Sequence, residues 1–161
     1  SLWRANLLQA IVQDVDLSGA DLTEANFHAV NLSGSNFAGA TMIRTSLTKT
    51  NMIGVNLSGA DLTGANLSEA KLHDADMRGA NMHKADLPTA DMTGANLRGA
   101  SFEDANLTWS TMVNADLRGV NFSKANLGSA DLSGADLSGA NLTGARFCKT
   151  KMPTGMDNSD C

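Results

Sequence analysis

The chain has 161 residues, a length that suits one domain. It contains no Tyr and only 4% aromatic residues, which excludes a core built on large aromatic side chains. A net charge of −5 with the two signs interspersed argues against direct binding to nucleic acid, and no apolar run is long enough for a transmembrane segment.

From Leu2 to Met152, the chain repeats with a period of five. Every fifth residue is large and apolar: the 31 positions hold 18 Leu, 7 Met, 5 Phe and Val12. Residues five apart in an α-helix differ by about 140° around the axis, so this period gives no helix face. It also alternates between the two faces of a flat strand. We therefore expect a short extended segment and a tight turn in each repeat.

The other slots of the repeat are equally regular. Two residues before the large apolar residue lies a small one, usually Ala, which predicts close packing beneath the backbone. The residue just before it is Asn or Asp in 22 of 31 cases. Gly follows two residues after it at 13 positions, which predicts a corner with positive φ. The large and small residues should face inward and the other three outward.

These slots, as in Ala60-Asp61-Leu62-Thr63-Gly64, resemble the pentapeptide repeat family over residues 1 to about 152. The resemblance implies an all-β fold, a right-handed quadrilateral parallel β-helix with four repeats per coil and about eight coils. We expect residues 1–152 to form this β-helix and residues 153–161 to form a non-repeat C-terminal cap.

An apolar patch is predicted on the first coil. Trp3, Leu8 and Ile11 occupy slots that should face outward. The chain begins in repeat register without Met, so we expect this patch to pack against a preceding segment or a second copy of the chain. A dedicated partner surface is the alternative. We expect a monomer or a weak end-to-end dimer.

A ladder of arginines is predicted on one side of the rod. Arg78, Arg98 and Arg118 lie twenty residues apart, and thus in the same slot of three successive coils about 4.8 Å apart. The preceding outward column holds Asp76, Asn96, Asp116 and Asp136, which should balance the charge. A solvated mesh of Arg and Asp is one interpretation, and a site for an anion or an acidic partner is the other.

The tail carries the two cysteines, Cys148 on the last coil and Cys161 at the end. Its length lets Cys161 fold back to Cys148, which predicts a disulfide that fixes the cap; two free thiols are the alternative. The tail also resembles those of cyanobacterial and chloroplast-lumen pentapeptide repeat proteins. This resemblance implies an oxidising thylakoid lumen or periplasm, with the cytoplasm as the alternative.

Catalytic chemistry has no visible basis in the sequence. His28, His73 and His83 fall on three different sides of the predicted rod and cannot form a cluster, so we expect no metal, no cofactor and no enzyme active site. The glycines follow the repeat and form no nucleotide fingerprint.

We therefore predict a structural scaffold that binds a protein partner, which the sequence does not identify. Family members that protect DNA gyrase from quinolones are understood as mimics of duplex DNA, and a gyrase-binding mimic is the alternative function. Mixed charges on every side and a short tail with Pro153 and Gly155 argue against it.

Overall fold

A computed structural model describes residues 1–8, 10 and 12–161. The repeats wind into a four-sided parallel β-helix, and a short tail follows it. The Asn/Asp slot of each repeat pairs in parallel with the slot twenty residues later, as Asp61 pairs with Asn81 and Asn81 with Ser101. Each five-residue repeat thus forms one side, and four repeats form one coil.

We number the sides 1 to 4 in chain order. In the coil of residues 61–80, their large inward side chains are Leu62, Leu67, Leu72 and Met77. The residue two after each of these lies at the edge between that side and the next. Edges 1–2, 2–3, 3–4 and 4–1 are formed in this coil by Gly64, Glu69, Asp74 and Gly79, respectively.

Every backbone N–H group of a central repeat has a hydrogen-bond acceptor, and one of these acceptors explains why Asn and Asp are preferred in one slot. Three of the five N–H groups bond to carbonyls of the adjacent coils, one closes the turn, and one bonds to the Asn or Asp side chain. For residues 62–66 the acceptors are the carbonyl of Asn81 for Leu62, Oδ1 of Asp61 for Thr63, the carbonyl of His83 for Gly64, the carbonyl of Leu62 for Ala65 and the carbonyl of Thr45 for Asn66.

The core runs along the axis of the rod. Every Leu, Met and Phe of the large apolar slot from Leu22 to Leu132 is fully buried. Phe102 and Phe122 stack in successive coils of side 1 with ring centroids 5.3 Å apart. In the terminal coils the same slot is only partly buried, as at Leu2, Leu7 and Leu142. Each fully buried side chain of this kind contributes roughly 1.5 to 3 kcal/mol relative to its exposed state.

Five buried hydroxyl residues replace Ala in the small slot without leaving a polar group unpaired. Each hydroxyl donates to a backbone carbonyl, as Thr45 does to Leu22 at 2.9 Å and Ser110 to Leu107 at 2.8 Å. A paired hydroxyl costs little to bury. The five residues are Ser35, Thr45, Thr50, Ser110 and Thr150.

The C-terminal tail forms the one regular antiparallel element of the described residues. Strand β1, Thr150–Met152, pairs with strand β2, Gly155–Asp157, in a hairpin with Thr150 opposite Asp157. Strand β1 belongs to the last repeats, so the β-helix and the tail share these residues. None of the described residues lies in a helix with the length and apolar character needed to cross a membrane.

Candidate interaction surfaces

The arginine ladder lies on side 4 and is largely neutralised by the acidic column beside it. Nε and Nη2 of Arg78 lie 2.8 and 2.6 Å from Oδ1 and Oδ2 of Asp76. Arg118 holds Asp116 in the same way, at 2.8 and 2.5 Å. The hydrogen bonds from Arg118 lower the pKa of Asp116 to about 2, and those from Arg78 lower the pKa of Asp76.

Arg98 differs from the other two arginines because Asn96 occupies the position of the carboxylate. Oδ1 of Asn96 accepts the backbone N–H of Arg98 at 3.3 Å. Among the described residues, no side chain forms an ion pair with the guanidinium of Arg98. The middle of the ladder therefore carries a cation with unused hydrogen-bond donors.

The edge beside the ladder leaves this cation accessible. Gly79, Gly99 and Gly119 form that part of edge 4–1, and, apart from their chain neighbours, no residue has an atom within 4 Å of where a Cβ would be. Arg98 is exposed and the edge beside it has no side chains of its own, so a partner could approach the guanidinium groups from this edge.

The apolar residues of the first coil are exposed where the structure describes them. Trp3 is 57% exposed and Leu8 is 48% exposed. The guanidinium of Arg4 lies 5.0 Å from the ring centroid of Trp3, and its Nε lies 2.8 Å from Glu24. Ile11, the third residue of the predicted patch, lies outside the described residues. Trp3 and Leu8 remain a proposed contact surface.

The C-terminal hairpin and a disulfide cover part of the last coil. Cys148 and Cys161 are joined, with Cα atoms 4.8 Å apart. The tail also bonds to the backbone of side 2: Asp160 accepts the N–H of Phe147 at 2.6 Å, and Asn158 accepts that of Lys149 at 3.0 Å. These bonds occupy donors that, in the earlier coils of side 2, bond to carbonyls of the next coil.

The three histidines do not come together. Nδ1 of His28 lies 2.5 Å from Oγ1 of Thr48 on side 2, Nε2 of His73 lies 2.7 Å from Oδ2 of Asp91 on side 3, and His83 lies on side 1. In residues 1–8, 10 and 12–161, no group of three His, Cys, Asp or Glu is placed to hold a metal ion.

The edges of the rod differ in a way that the sequence analysis missed. Every described corner residue has positive φ, between 52° and 72°, whether or not it is Gly. For a residue with a Cβ, this left-handed conformation costs roughly 1 to 2 kcal/mol of stability. Edge 4–1 is Gly in seven consecutive coils, whereas the seven described members of edge 2–3 include none; they are Ala29, Lys49, Glu69, Thr89, Trp109, Ser129 and Lys149. Sorting the glycines by a period of twenty would have revealed this.

Charge is also distributed unevenly among the sides. We call side 2 with edges 1–2 and 2–3 the basic side. It holds seven of the 12 basic and four of the 17 acidic residues, a net charge of +3 in a chain of −5. Its basic residues are Arg4, Arg44, Lys49, Lys84, Lys124, Arg146 and Lys149, and its acidic residues are Glu24, Glu69, Asp86 and Asp104.

Comparison with known proteins identifies the family of the chain. The sequence profile described as Pentapeptide repeats matches in eight copies, over residues 1–37, 25–64, 60–99, 100–139 and 115–152. No curated protein sequence matches the chain.

Several solved structures are similar. A pentapeptide repeat protein (Rfr23) of the cyanobacterium Cyanothece 51142 is 36% identical, with a TM-score of 0.55 over 56% of this chain and 62% of that one. One from the thylakoid lumen of Arabidopsis thaliana is 31% identical, with a TM-score of 0.58 over 59% of this chain and 66% of that one. In both alignments this chain covers less than two thirds of the other protein.

A plasmid-mediated fluoroquinolone resistance protein, QnrB1, is 17% identical with a TM-score of 0.49 over 84% of this chain and 81% of that one, a likeness that carries no argument about function. Pentapeptide repeat proteins are generally non-catalytic repeat scaffolds. The profile matches and the four-sided coil together show that this chain belongs to the pentapeptide repeat family and forms its right-handed quadrilateral β-helix.

Proposed function

We propose that the chain is a non-catalytic scaffold that binds a protein partner, and that the arginine ladder forms part of the contact surface. The observation that carries this proposal is Arg98, a guanidinium without a carboxylate partner among the described residues, between two arginines that have one. An exposed ion pair adds little to stability, so the fold gains little from the ladder. Arginine is enriched among the residues that dominate binding energy at protein interfaces.

The test is affinity capture from the native source, with the intact rod as one bait and the Arg78→Ser, Arg98→Ser, Arg118→Ser triple variant as the other. Ser already occupies this slot at Ser58 and Ser138, so the variant should fold. We expect a protein that the intact rod retains and the variant loses, and that binds again after purification. Equal capture by both baits would remove the ladder from the contact surface.

The gyrase-binding alternative has no specific observation in its favour. A mimic of duplex DNA requires a continuous acidic surface. Side 4 instead alternates Asp with Arg in ion pairs, and the basic side carries a net charge of +3. A supercoiling assay with and without quinolone would reveal gyrase binding if it occurred.

We also propose an oxidising compartment, the thylakoid lumen or the periplasm. The disulfide supports this location, since disulfides persist where thiols are not kept reduced. Alkylation of native protein at the moment of lysis, followed by mass spectrometry, should find both cysteines protected. Two alkylated cysteines would favour the cytoplasm.

For the assembly state we propose a monomer or a weak end-to-end dimer, with the exposed Trp3 and Leu8 of the first coil as the contact. Sedimentation equilibrium should show a mass that rises only weakly with concentration. A Leu8→Ser variant should remain monomeric if this contact is correct.

A further inference from the structure

Edge 2–3 has residues with side chains at corners whose positive φ favours Gly. Its described members from Ala29 to Lys149 all lie in the left-handed region, with φ between 55° and 61°. Thr89 is β-branched and Trp109 is bulky, and both are unusual at such φ values. The diagonally opposite edge 4–1 is Gly throughout, so the same turn accepts Gly in every coil. The side chains of edge 2–3 are therefore not explained by the turn.

Trp109 shows this most clearly. It is 68% exposed, so its indole gains little from burial in the rod. The neighbours in its column are Thr89 and Ser129, and the residue beside it in the next coil is Gly128. These small residues leave the ring accessible. Tryptophan is enriched among the residues that dominate binding energy at interfaces.

Two outward columns lie between the two edges of the basic side, one of them formed by Ser46, Asn66, Asp86, Asn106 and Asn126. The other, next to edge 2–3, is formed by small residues. It reads Thr48, Ser68, Pro88, Thr108 and Gly128 in successive coils. Longer side chains border the two columns on edge 1–2, such as Lys84, and on edge 2–3, such as Trp109. Beside this column, edge 2–3 extends from Lys49 to Lys149 over five coil steps, roughly 24 Å, which equals about seven residues of extended chain.

The basic residues of this side are not all neutralised. Arg44 pairs with Glu24 at 2.8 Å, and Lys124 lies 3.5 Å from Glu103 on side 1. In the part of the chain that the structure describes, Lys84, Arg146 and Lys149 form no ion pair. These three cations and Trp109 all lie in the C-terminal half of the rod.

We propose that the basic side binds an extended acidic segment of a protein partner, with Lys84, Arg146 and Lys149 contacting its carboxylates and Trp109 contacting an apolar side chain. The net charge of +3 against −8 on the rest of the chain would orient the segment toward this side. Four acidic residues lie among the basic ones, and a charge of +3 is small for gripping phosphates, so a protein segment is favoured over nucleic acid. The basic side is opposite the arginine ladder, and each surface can be tested without the other.

The test uses a fluorescein-labelled peptide of about ten residues, nine Glu and a central Phe, with fluorescence anisotropy as the readout. A Lys peptide and a single-stranded oligonucleotide of the same length are the comparison probes. We expect the Glu peptide to bind at low salt and to lose about tenfold in affinity at roughly 0.3 M salt. Neither comparison probe should bind as tightly as the Glu peptide.

Two variants remove the same charge from opposite sides of the rod. Lys84→Gly, Arg146→Asn, Lys149→Gly places the preferred repeat residue in each slot and should lower the affinity for the Glu peptide about tenfold. The ladder variant Arg78→Ser, Arg98→Ser, Arg118→Ser should change it less than about twofold. Equal losses in the two variants, or no binding by the unmodified protein, would overturn the proposal.

Trp109 is tested separately. In a Trp3→Phe background the remaining indole should shift its emission to shorter wavelength when the Glu peptide binds, and Trp109→Gly should weaken binding several-fold. An unchanged spectrum would remove Trp109 from the site. If the oligonucleotide bound as tightly as the Glu peptide and lost affinity in the same Lys84, Arg146 and Lys149 variant, the site would accept any polyanion, and the proposal of an acidic protein segment would be contradicted.

Discussion

At the scale of single residues, the corners show that the fold, and not the residue, sets the backbone conformation. Trp109 and Gly99, on diagonally opposite edges, have φ values of 61° and 69°. A residue with a Cβ is strained in this conformation and Gly is not. The choice of residue at a corner therefore changes stability while the shape of the turn is kept.

Exchanges at these two positions should have opposite effects. Gly99→Ala should lower the free energy of unfolding by about 1 kcal/mol, because Ala must adopt positive φ while its Cβ meets no atom within 4 Å. Trp109→Gly should raise it by about the same amount. Urea denaturation of both variants measures the difference. A loss of stability in Trp109→Gly would show that the indole packs on the rod.

The ion pairs of the ladder predict a specific dependence on pH. The pKa of Asp116 is lowered from 3.8 to about 2 by its hydrogen bonds to Arg118. The stabilisation is thus fully present above about pH 4 and is lost as the pH falls toward 2. In Asp116→Asn the side chain can still accept the backbone N–H of Arg118, as Asn96 accepts that of Arg98. Because the lost ion pair is exposed, the variant should melt only slightly below the wild type at pH 6. The difference should shrink as the pH falls and disappear below pH 2. A constant difference would contradict this assignment.

At the scale of structural elements, the residues after the hairpin stabilise the last coil by occupying its free backbone groups, and the disulfide holds them in place. Asp160 and Asn158 take the N–H groups of Phe147 and Lys149, and the bridge to Cys161 closes a loop across 13 residues. The tail thus satisfies donors that a following coil would satisfy elsewhere in the rod.

Removing the bridge should open this end alone. Cys148→Ser, Cys161→Ser should cost roughly 3 kcal/mol in the chain-entropy description of disulfides. Hydrogen exchange should accelerate at the amides of Phe147 and Lys149 and stay unchanged at Leu87 in the middle of the rod. Faster exchange along the whole rod would mean that the bridge contributes to global stability and does not act as a local cap.

The elements differ in how far the sequence predicts them. The β-helix is predictable because one inward slot holds large apolar side chains and the other small ones, as Leu62 and Ala65 show. An Asn or Asp side chain also accepts one turn N–H in most repeats. The pairing between β1 and β2 is not predictable, because the residues around Pro153 and Gly155 lie outside the repeat pattern. The spacing of twenty predicts the ladder. The lack of an ion pair at Arg98 among the described residues depends on one residue, because Asn96 stands where the neighbouring coils have Asp.

At the scale of the whole molecule, a chain that repeats every five residues can still have sides of different net charge. Every side mixes both signs, as the sequence indicates, yet the basic side totals +3 and the rest of the chain −8. The sign of a side depends on the order of residues around the coil, with a period of twenty. This period is invisible in the five-residue pattern that determines the fold, so the candidate sites were less predictable than the architecture.

Stability should also depend on position along the rod, since each coil contacts only its neighbours. Leu72 is fully buried between two coils, so Leu72→Ala should leave a cavity and cost about 2 to 5 kcal/mol. Leu142 occupies the same slot in the last coil and is only partly buried, so Leu142→Ala should cost clearly less. Chemical denaturation compares the two. The central variant should also divide unfolding into two steps, because it weakens the only contact between the N-terminal and C-terminal coils. A single transition with equal losses would show that the rod unfolds as one unit.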